Sequence, residues 1–325
     1  MKILFLHGFT SSGQCEIART LRAEMEGMAE VLAPDLPLYP EEAITLVGKL
    51  CQEHRPQVIV GSSCGAFYAQ MYAGSMRKVI LVNPFFRMSE FLESRIGLRQ
   101  YKSPRADGKQ EFEITPNLIE HFKAIEERQF VSYTPENKPY VYGLFGKQDT
   151  LAHFRSMYDS LYTNAREFDG GHAMTAENVR RDLVPLIKEI AIYPQLIEVW
   201  KKSVKATHTF LANEDFEFYK KQMPAYLSAV KLYVKYVPDG TTAGFMELSD
   251  DTIEMLFVSP SHFRKGIGRH HVELALSKGI RKVDVNEQNT EALLFYEVMG
   301  FTVAGRDETD GEGKPYPILH MEKRD

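Results

Sequence analysis

The chain has 325 residues, of which 44% are hydrophobic and 26% charged, and a formal net charge of −5. That length predicts two domains, each with a core large enough to fold without a metal or disulfide staple. The acidic balance argues against a general nucleic-acid partner, and no apolar run approaches the roughly 20 residues needed to span a bilayer, so no membrane partner is expected.

Lys2–Leu6 reads as a first strand. His7 and Gly8 end its apolar run too early for the roughly 7–15 residues of a signal-peptide core. Cys15–Met28 is helical in pattern, Val31–Ala33 is a short strand leading to Pro34-Asp35-Leu36-Pro37, and Glu41–His54 is helical. Val58–Val60 reads as a buried strand and Cys64–Gly74 as a helix. Val79–Val82, Pro139–Phe145 and Arg166–Phe168 read as strands, and Ala176–Ile192 as a helix. This alternation predicts an α/β domain with a parallel sheet covered by helices on both faces. Between Phe85 and Lys138 the alternation lapses in a charged stretch broken by Pro104, Gly108, Pro116 and Pro135. Residues 85–138 read as a mostly helical insertion over the sheet edge, either a lid or a solvated excursion with no gating role. Cys15, Cys51 and Cys64 lack metal-ligand spacing and read as reduced thiols in a cytoplasmic setting, Cys15 and Cys51 as small buried residues.

The pattern changes near Ile190. Pro194–Ser203 is an amphipathic helix, and Phe216–Leu227 is helical too. Antiparallel-type strands follow at Val230–Tyr236, Thr242–Leu248 and Thr252–Val258, separated by Pro238-Asp239-Gly240 and Asp250-Asp251. A helix from Gly268, a strand at Lys282–Val285, a helix at Thr290–Val298 and a strand at Phe301–Arg306 complete an α+β pattern. The predicted division is 1–191 and 192–325, with no flexible linker between.

Gly61-Ser62-Ser63-Cys64-Gly65 matches G-x-S-x-G between a strand and a helix. Glycines two before and two after Ser63 allow a steep strand-to-helix turn that lifts its hydroxyl clear of the sheet. A serine hydroxyl is a poor nucleophile until a base takes its proton. His172, after the strand Arg166–Phe168, would be that base, and Asp149, after the strand ending at Phe145, would fix its tautomer and stabilise its cation. Ser63, Asp149, His172 is the chain order of α/β-hydrolases. The backbone N–H of Cys64 would donate to a developing oxyanion, with Phe9 in His7-Gly8-Phe9-Thr10 as the second donor. His7 reads as a loop-fixing residue and Ser62 as a polar neighbour. The bland alternative is a Rossmann-like domain with an incidental serine-rich turn.

Four stretches carry a family resemblance: Leu6-His7-Gly8-Phe9-Thr10-Ser11-Ser12, Pro34-Asp35-Leu36-Pro37-Leu38-Tyr39-Pro40, Gly61–Gly65 with Phe67-Tyr68-Ala69, and Val82-Asn83-Pro84. Across about residues 1–190 the chain resembles the YqiA/YcfP-type small α/β-hydrolases. The resemblance implies a cytoplasmic carboxylesterase or thioesterase acting on short acyl or acyl-CoA-type esters, a small-molecule ester or thioester. Cys64 stands where that family usually has glycine or leucine, a change the backbone role tolerates.

Farther along, Leu256-Phe257-Val258-Ser259-Pro260 runs into Ser261-His262-Phe263-Arg264-Lys265-Gly266-Ile267-Gly268-Arg269. Successive backbone N–H groups at such a strand-to-helix turn make a pyrophosphate cradle, and Arg264, Lys265 and Arg269 add positive charge. Neither a Walker-type site nor the dinucleotide fingerprint is present. Asn286–Asn289, Ala292, Phe295-Tyr296 and Gly300-Phe301 resemble the signature block of the GNAT N-acetyltransferases, and Val199–Leu211, Gly244-Phe245-Met246, Asn286–Asn289 and Gly313-Lys314-Pro315-Tyr316-Pro317 resemble more closely the YjaB-type proteins, over about residues 193–325. The resemblance implies acetyl-CoA as co-substrate. The backbones of Phe257 and Val258 would pair with the pantetheine arm, and residues Arg264, Lys265, Gly266, Ile267, Gly268 and Arg269 would hold the pyrophosphate. Asn289 would lie by the pantetheine, and Tyr296 would protonate the departing thiolate or simply pack. An acceptor amine is mostly protonated at neutral pH, so a base must act. Glu254 comes first, or is a solvated strand carboxylate, with Glu247 and His208 behind it; His208 could equally be a packing residue. Phe263 occupies the usual first basic or glutamine position of the loop, which should weaken pyrophosphate binding modestly. A first GNAT strand is expected before Pro194, where Leu186–Ile192 also reads as the last hydrolase helix.

These readings combine into a fusion of a serine esterase and an N-acetyltransferase for an amine acceptor. The rivals are a chain with one catalytic domain, its GNAT part binding acetyl-CoA to regulate the hydrolase, and a non-catalytic scaffold.

Overall fold

The computed structural model describes every residue except Met76, Val131, Ser132 and Asp325. The chain divides into two compact units, Met1–Ala191 and Ile192–Asp325. Among the described residues no helix is long and apolar enough to cross a membrane.

In the first unit, β1 (Lys2–Leu6), β2 (Glu30–Leu32), β3 (Val58–Ser62), β4 (Lys78–Val82), β7 (Val141–Gly146) and β8 (Asn164–Phe168) form one sheet in the order β2-β1-β3-β4-β7-β8. Every pairing is parallel. Ile3, Leu4, Phe5 and Leu6 are all buried, as are Val58, Ile59 and Val60, so these strands are apolar on both faces rather than alternating. Covering helices are α1 (Glu16–Glu24), α2 (Pro40–His54), α3 (Cys64–Ala69) and α6 (Arg155–Leu161). The unit ends on α7 (Ala176–Asn178) and α8 (Val184–Ile187), joined and followed by π-helical turns that reach Ile192. Residues 186–192 are thus helical, and the strand expected there does not form. Strand order reverses between β1 and β3, so the loops leaving their C-terminal ends diverge and open a crevice.

The insertion between β4 and β7 differs from expectation. It holds α4 (Met88–Glu93), a hairpin of β5 (Gly97–Gln100) and β6 (Glu111–Ile114), and α5 (Pro116–Glu126). Pro116 starts α5, whose Thr115 cap accepts from the Leu118 N–H. Phe112, Ile114, Leu118, Phe122 and Ile125 join the same buried cluster as Phe67 and Leu81. The insertion is therefore built into the core, neither a solvated excursion nor a cover on an edge strand, the edges being β2 and β8. Val131 and Ser132 of this stretch lie outside the described residues.

In the second unit, α9 (Tyr193–Thr207) and α10 (Asn213–Ala229) precede a sheet of β9 (Lys231–Tyr236), β10 (Thr242–Leu248), β11 (Thr252–Val258), β12 (Lys282–Asn286), β13 (Thr302–Asp307) and β14 (Ile318–Glu322). The order is β13-β14-β12-β11-β10-β9. Helices α11 (Ile267–Ser277) and α12 (Thr290–Val298) connect its strands. Among the described residues of this sheet only β11 and β12 run parallel, and they pair just at Thr252↔Lys282 and Ile253↔Val283 before separating. β14, absent from the sequence reading, inserts between β13 and β12.

Candidate functional sites

The steep turn at Ser63 has a visible cause. A Cβ on Gly61 would stand 2.4 Å from the Gly65 carbonyl oxygen, and one on Gly65 would stand 2.0 Å from that of Leu6. Only glycine lets α3 leave β3 this closely. Ser63 itself sits at φ 54°, ψ −117°, a strained conformation for a residue with a side chain. Its hydroxyl is 2.9 Å from His172 Nε2, and His172 Nδ1 is 2.9 Å from Asp149 Oδ2. Asp149 Oδ1 accepts from the N–H groups of Leu151 and Ala152 at 2.8 and 3.1 Å. The imidazole remains 22% exposed while the carboxylate is only 5% exposed, so the base meets solvent and its partner does not.

Cys64 is the first residue of α3, where a backbone N–H has no intrahelical acceptor. Its thiol is buried and pushed up to about 12 by that burial, despite a hydrogen bond with Tyr68, which leaves it inert as a nucleophile. The loop after β1 passes beside Ser63: a Cβ on Gly8 would lie 3.9 Å from Ser63 Oγ. Phe9 follows, its ring edge-on to Phe112 and Phe122. His7 fixes this loop. The Leu36 N–H donates to its Nε2 at 2.8 Å, so the ring proton sits on Nδ1 and donates to the Gly8 carbonyl at 2.8 Å. Burial pulls His7 down to about 4, which keeps it neutral in that role. Asp35 ties the Gly13 and Ala106 N–H groups, and Thr10 accepts from the Lys102 N–H. Ser62 is buried beside Ser63, Cys51 is buried, and Cys15 is half-exposed at the start of α1 rather than buried.

In the second unit the separation of β11 from β12 leaves the inner edge of residues 254–258 unpaired by that neighbour. Two cavities, of about 500 and about 620 Å³, share Leu256, Phe257, Asn289 and Tyr296 in their walls. Val258, Arg264, Gly266, Ile267, Gly268 and Arg269 line the larger; Lys265 is exposed outside it. Gly266 has φ +79°, and a Cβ on Gly268 would stand 3.2 Å from the Phe295 ring, so glycine is needed at both for this loop to turn tightly into α11. Asn289 caps α12 through the Ala292 N–H at 3.3 Å. Tyr296 is 5% exposed, and burial pushes its phenol well above the ordinary range. An open parallel strand edge beside a glycine-bearing loop at a helix start fits an extended amide arm ending in a pyrophosphate.

The smaller cavity is lined by Glu254 and His208. Register steps from Glu247↔Met255 to Leu248↔Ile253, so Glu254 is the extra residue of a β-bulge, a device that re-aims a side chain beside a site. His208 ends α9, is bonded to Thr207 Oγ1 at 2.8 Å, and is pulled down to about 4 by burial, which makes it a neutral wall residue. Glu247 is outside the cavity wall and 1% exposed, and its Oε1 has no hydrogen-bond partner among the described residues.

Burial, and then the charge of Glu254, push Glu247 up to about 8 from an unfolded value of 4.5. Between those values the native state holds a proton that the unfolded chain has lost, so stability falls as pH rises through this window. Glu247→Gln is expected to flatten the fall and to be the more stable variant at pH 8. The single tryptophan, Trp200, lies in this unit, stacked on Phe216. Urea midpoints followed by its fluorescence check this directly; parallel pH profiles for the two proteins would remove the assignment.

Among the described residues no group of His, Cys, Asp and Glu could hold a metal ion. Sequence reasoning missed Asn83, which touches both loops carrying Asp149 and His172. Its one signal was an asparagine before proline at a strand end.

Comparison with known proteins divides the chain in the same two parts. Residues 2–185 match the family described as Uncharacterised protein family (UPF0227), and residues 196–324 match the Acetyltransferase (GNAT) domain. "Peptidyl-lysine N-acetyltransferase YjaB" of Salmonella typhimurium is 40% identical over 129 residues, which are 39% of this chain and 88% of that protein. The solution structure of apo-form YjaB from Escherichia coli is 38% identical, covering 40% of this chain and 88% of that one, with a TM-score of 0.38. Est1E from Butyrivibrio proteoclasticus is 14% identical over 58% of this chain and 87% of that one, with a TM-score of 0.43. The chain is thus a fusion that belongs through residues 2–185 to the UPF0227 family and through residues 196–324 to the GNAT acetyltransferases.

Proposed function

We propose that the first unit is a serine esterase or thioesterase and the second an acetyl-CoA-dependent N-acetyltransferase for a lysine-type amine. The observation that carries the first half is the unbroken Ser63–His172–Asp149 chain at 2.9 Å per link. His172 takes the Ser63 proton at Nε2 as Oγ attacks the ester carbonyl, and Asp149 stabilises the imidazolium. The Cys64 and Phe9 N–H groups donate to the carbonyl oxygen as it becomes negative. His172 returns the proton to the leaving group, and water then releases the acyl group from Ser63 by the same steps reversed.

For the second unit, acetyl-CoA supplies an acetyl thioester. The edge of Phe257 and Val258 binds its arm, the loop Arg264–Arg269 holds its pyrophosphate, and Asn289 orders the start of α12 beside it. Glu254 accepts a proton from the acceptor ammonium, the free amine forms the C–N bond as the thioester C–S bond breaks, and the Tyr296 hydroxyl gives its proton to the thiolate and recovers the one that the amide nitrogen sheds. A lysine-type acceptor is supported by the activity in the name of the YjaB relatives and by the carboxylate of Glu254 in the cavity wall.

Treatment with a fluorophosphonate and measurement of the intact mass test the first half. One adduct is expected on the wild type and none on Ser63→Ala. Folded wild type that takes no adduct would overturn the hydrolase reading and leave that unit a scaffold.

A further inference from the structure

Asn83 closes β4, the strand between those that carry Ser63 and Asp149. It is 1% exposed and adopts φ +43°, a left-handed conformation that asparagine tolerates better than most residues. Its backbone N–H donates to the Leu144 carbonyl at 3.0 Å. Its side chain bonds the loops that carry two members of the triad. Oδ1 accepts from the Gly146 N–H at 2.7 Å, at the start of the turn that ends in Asp149. Nδ2 donates to the carbonyls of Gly171 and His172 at 3.0 and 2.9 Å. The adjoining backbone grips the third loop, because Val82 O accepts from the Ser63 N–H at 2.9 Å and the Phe85 N–H donates to Ser63 O at 3.3 Å.

We propose that Asn83 is a positioning residue that sets the Asp149 and His172 loops in register with Ser63. The inference rests on the reading of these three residues as a working triad. A carboxamide suits the task because one side chain offers an acceptor to the acid loop and two donors to the base loop. A purely apolar or purely acidic side chain can satisfy only one of the two loops, or neither. The two loops are tied to each other where the Lys147 and Gln148 N–H groups donate to the Phe168 and Gly170 carbonyls at 3.0 and 2.9 Å, and Asn83 joins that pair to the backbone that holds Ser63. Displacing a reacting group by about 1 Å can slow its chemistry about 100-fold.

Two variants test this. Asn83→Gly accepts the left-handed backbone and deletes the amide. Asn83→Asp keeps the acceptor for Gly146 but turns a charge toward two carbonyl oxygens. The readouts are the rate of fluorophosphonate attachment to Ser63 per folded molecule and the far-downfield proton resonance of His172 Nδ1–H held against Asp149. Both variants are expected to label about 100-fold more slowly than wild type and to lose that resonance while remaining folded by circular dichroism. A folded Asn83→Gly that labels at the wild-type rate with the resonance intact would overturn the proposal and leave the amide a support of the fold. If Asn83→Gly does not fold, Asn83→Asp decides by the same readouts. Wild type that takes no adduct would overturn the triad itself, an outcome distinct from a deficit seen only in the variants.

Discussion

Ester hydrolysis is expected to fall by about 10⁴-fold or more when His172 is replaced by alanine. The 2.9 Å contact to Ser63 Oγ is the route to that proton shown by the geometry. Asp149 cannot take over, because it lies behind the imidazole with its carboxylate bonded to Nδ1 and to two backbone N–H groups. Residues that act as one unit are strongly non-additive. Adding Ser63→Ala to His172→Ala should therefore cost almost nothing further, and the double variant should match the worse single one. The residual rate would come from the Cys64 and Phe9 N–H groups and from substrate binding. Turnover of a p-nitrophenyl ester by the three variants is the measurement. A His172→Ala protein within tenfold of wild type would mean that another group activates Ser63.

Tyr296→Phe is expected to lower kcat for acetyl transfer by about 10³-fold, with acetyl-CoA affinity almost unchanged. The substitution keeps the ring, and with it the edge contacts to Phe295 and Phe301 at 5.0 and 5.6 Å. What it removes is the hydroxyl of a residue that lines both cavities. Because burial holds that phenol protonated throughout the working range, it is a donor ready for a thiolate and not a base. Binding can be followed through Trp200, which lines the smaller cavity. A variant with unchanged kcat would make Tyr296 a packing residue. One with weakened binding and unchanged kcat would place it on the arm of the co-substrate alone.

Much of this architecture was legible because turns and caps bound the elements. Thr242–Leu248 lies between Gly240 and the Asp250-Asp251 turn, Thr252–Val258 follows that turn, and Asn289 marks the start of α12. The glycines around Ser63 announced a close approach, and the backbone distances give its reason. Other features depended on partners far along the chain. α1 stops at Glu24 although Met25 and Met28 continue its apolar period, because Gly27 turns left-handed at φ +80°. β14 was hidden because Ile318-Leu319-His320-Met321-Glu322 is short, and its polar positions, His320 and Glu322, pair only after the hairpin forms. The bulge at Glu254 slips register by one residue inside a strand whose length looks regular. Asn83 reaches carbonyls 88 and 89 residues away, and no local pattern could announce that.

The backbone at Ser63 also carries a thermodynamic consequence. Holding a residue with a Cβ at φ 54°, ψ −117° costs on the order of 1–3 kcal/mol, which the rest of the fold must offset. Glycine would occupy the same turn with less strain, at the price of the hydroxyl. On the proposed reading of Ser63 as the nucleophile, a Ser63→Gly form would relieve this strain and be unable to attack an ester. Reactivity and resistance to unfolding would then pull in opposite directions at one residue, and selection for heat tolerance alone would favour losing that hydroxyl.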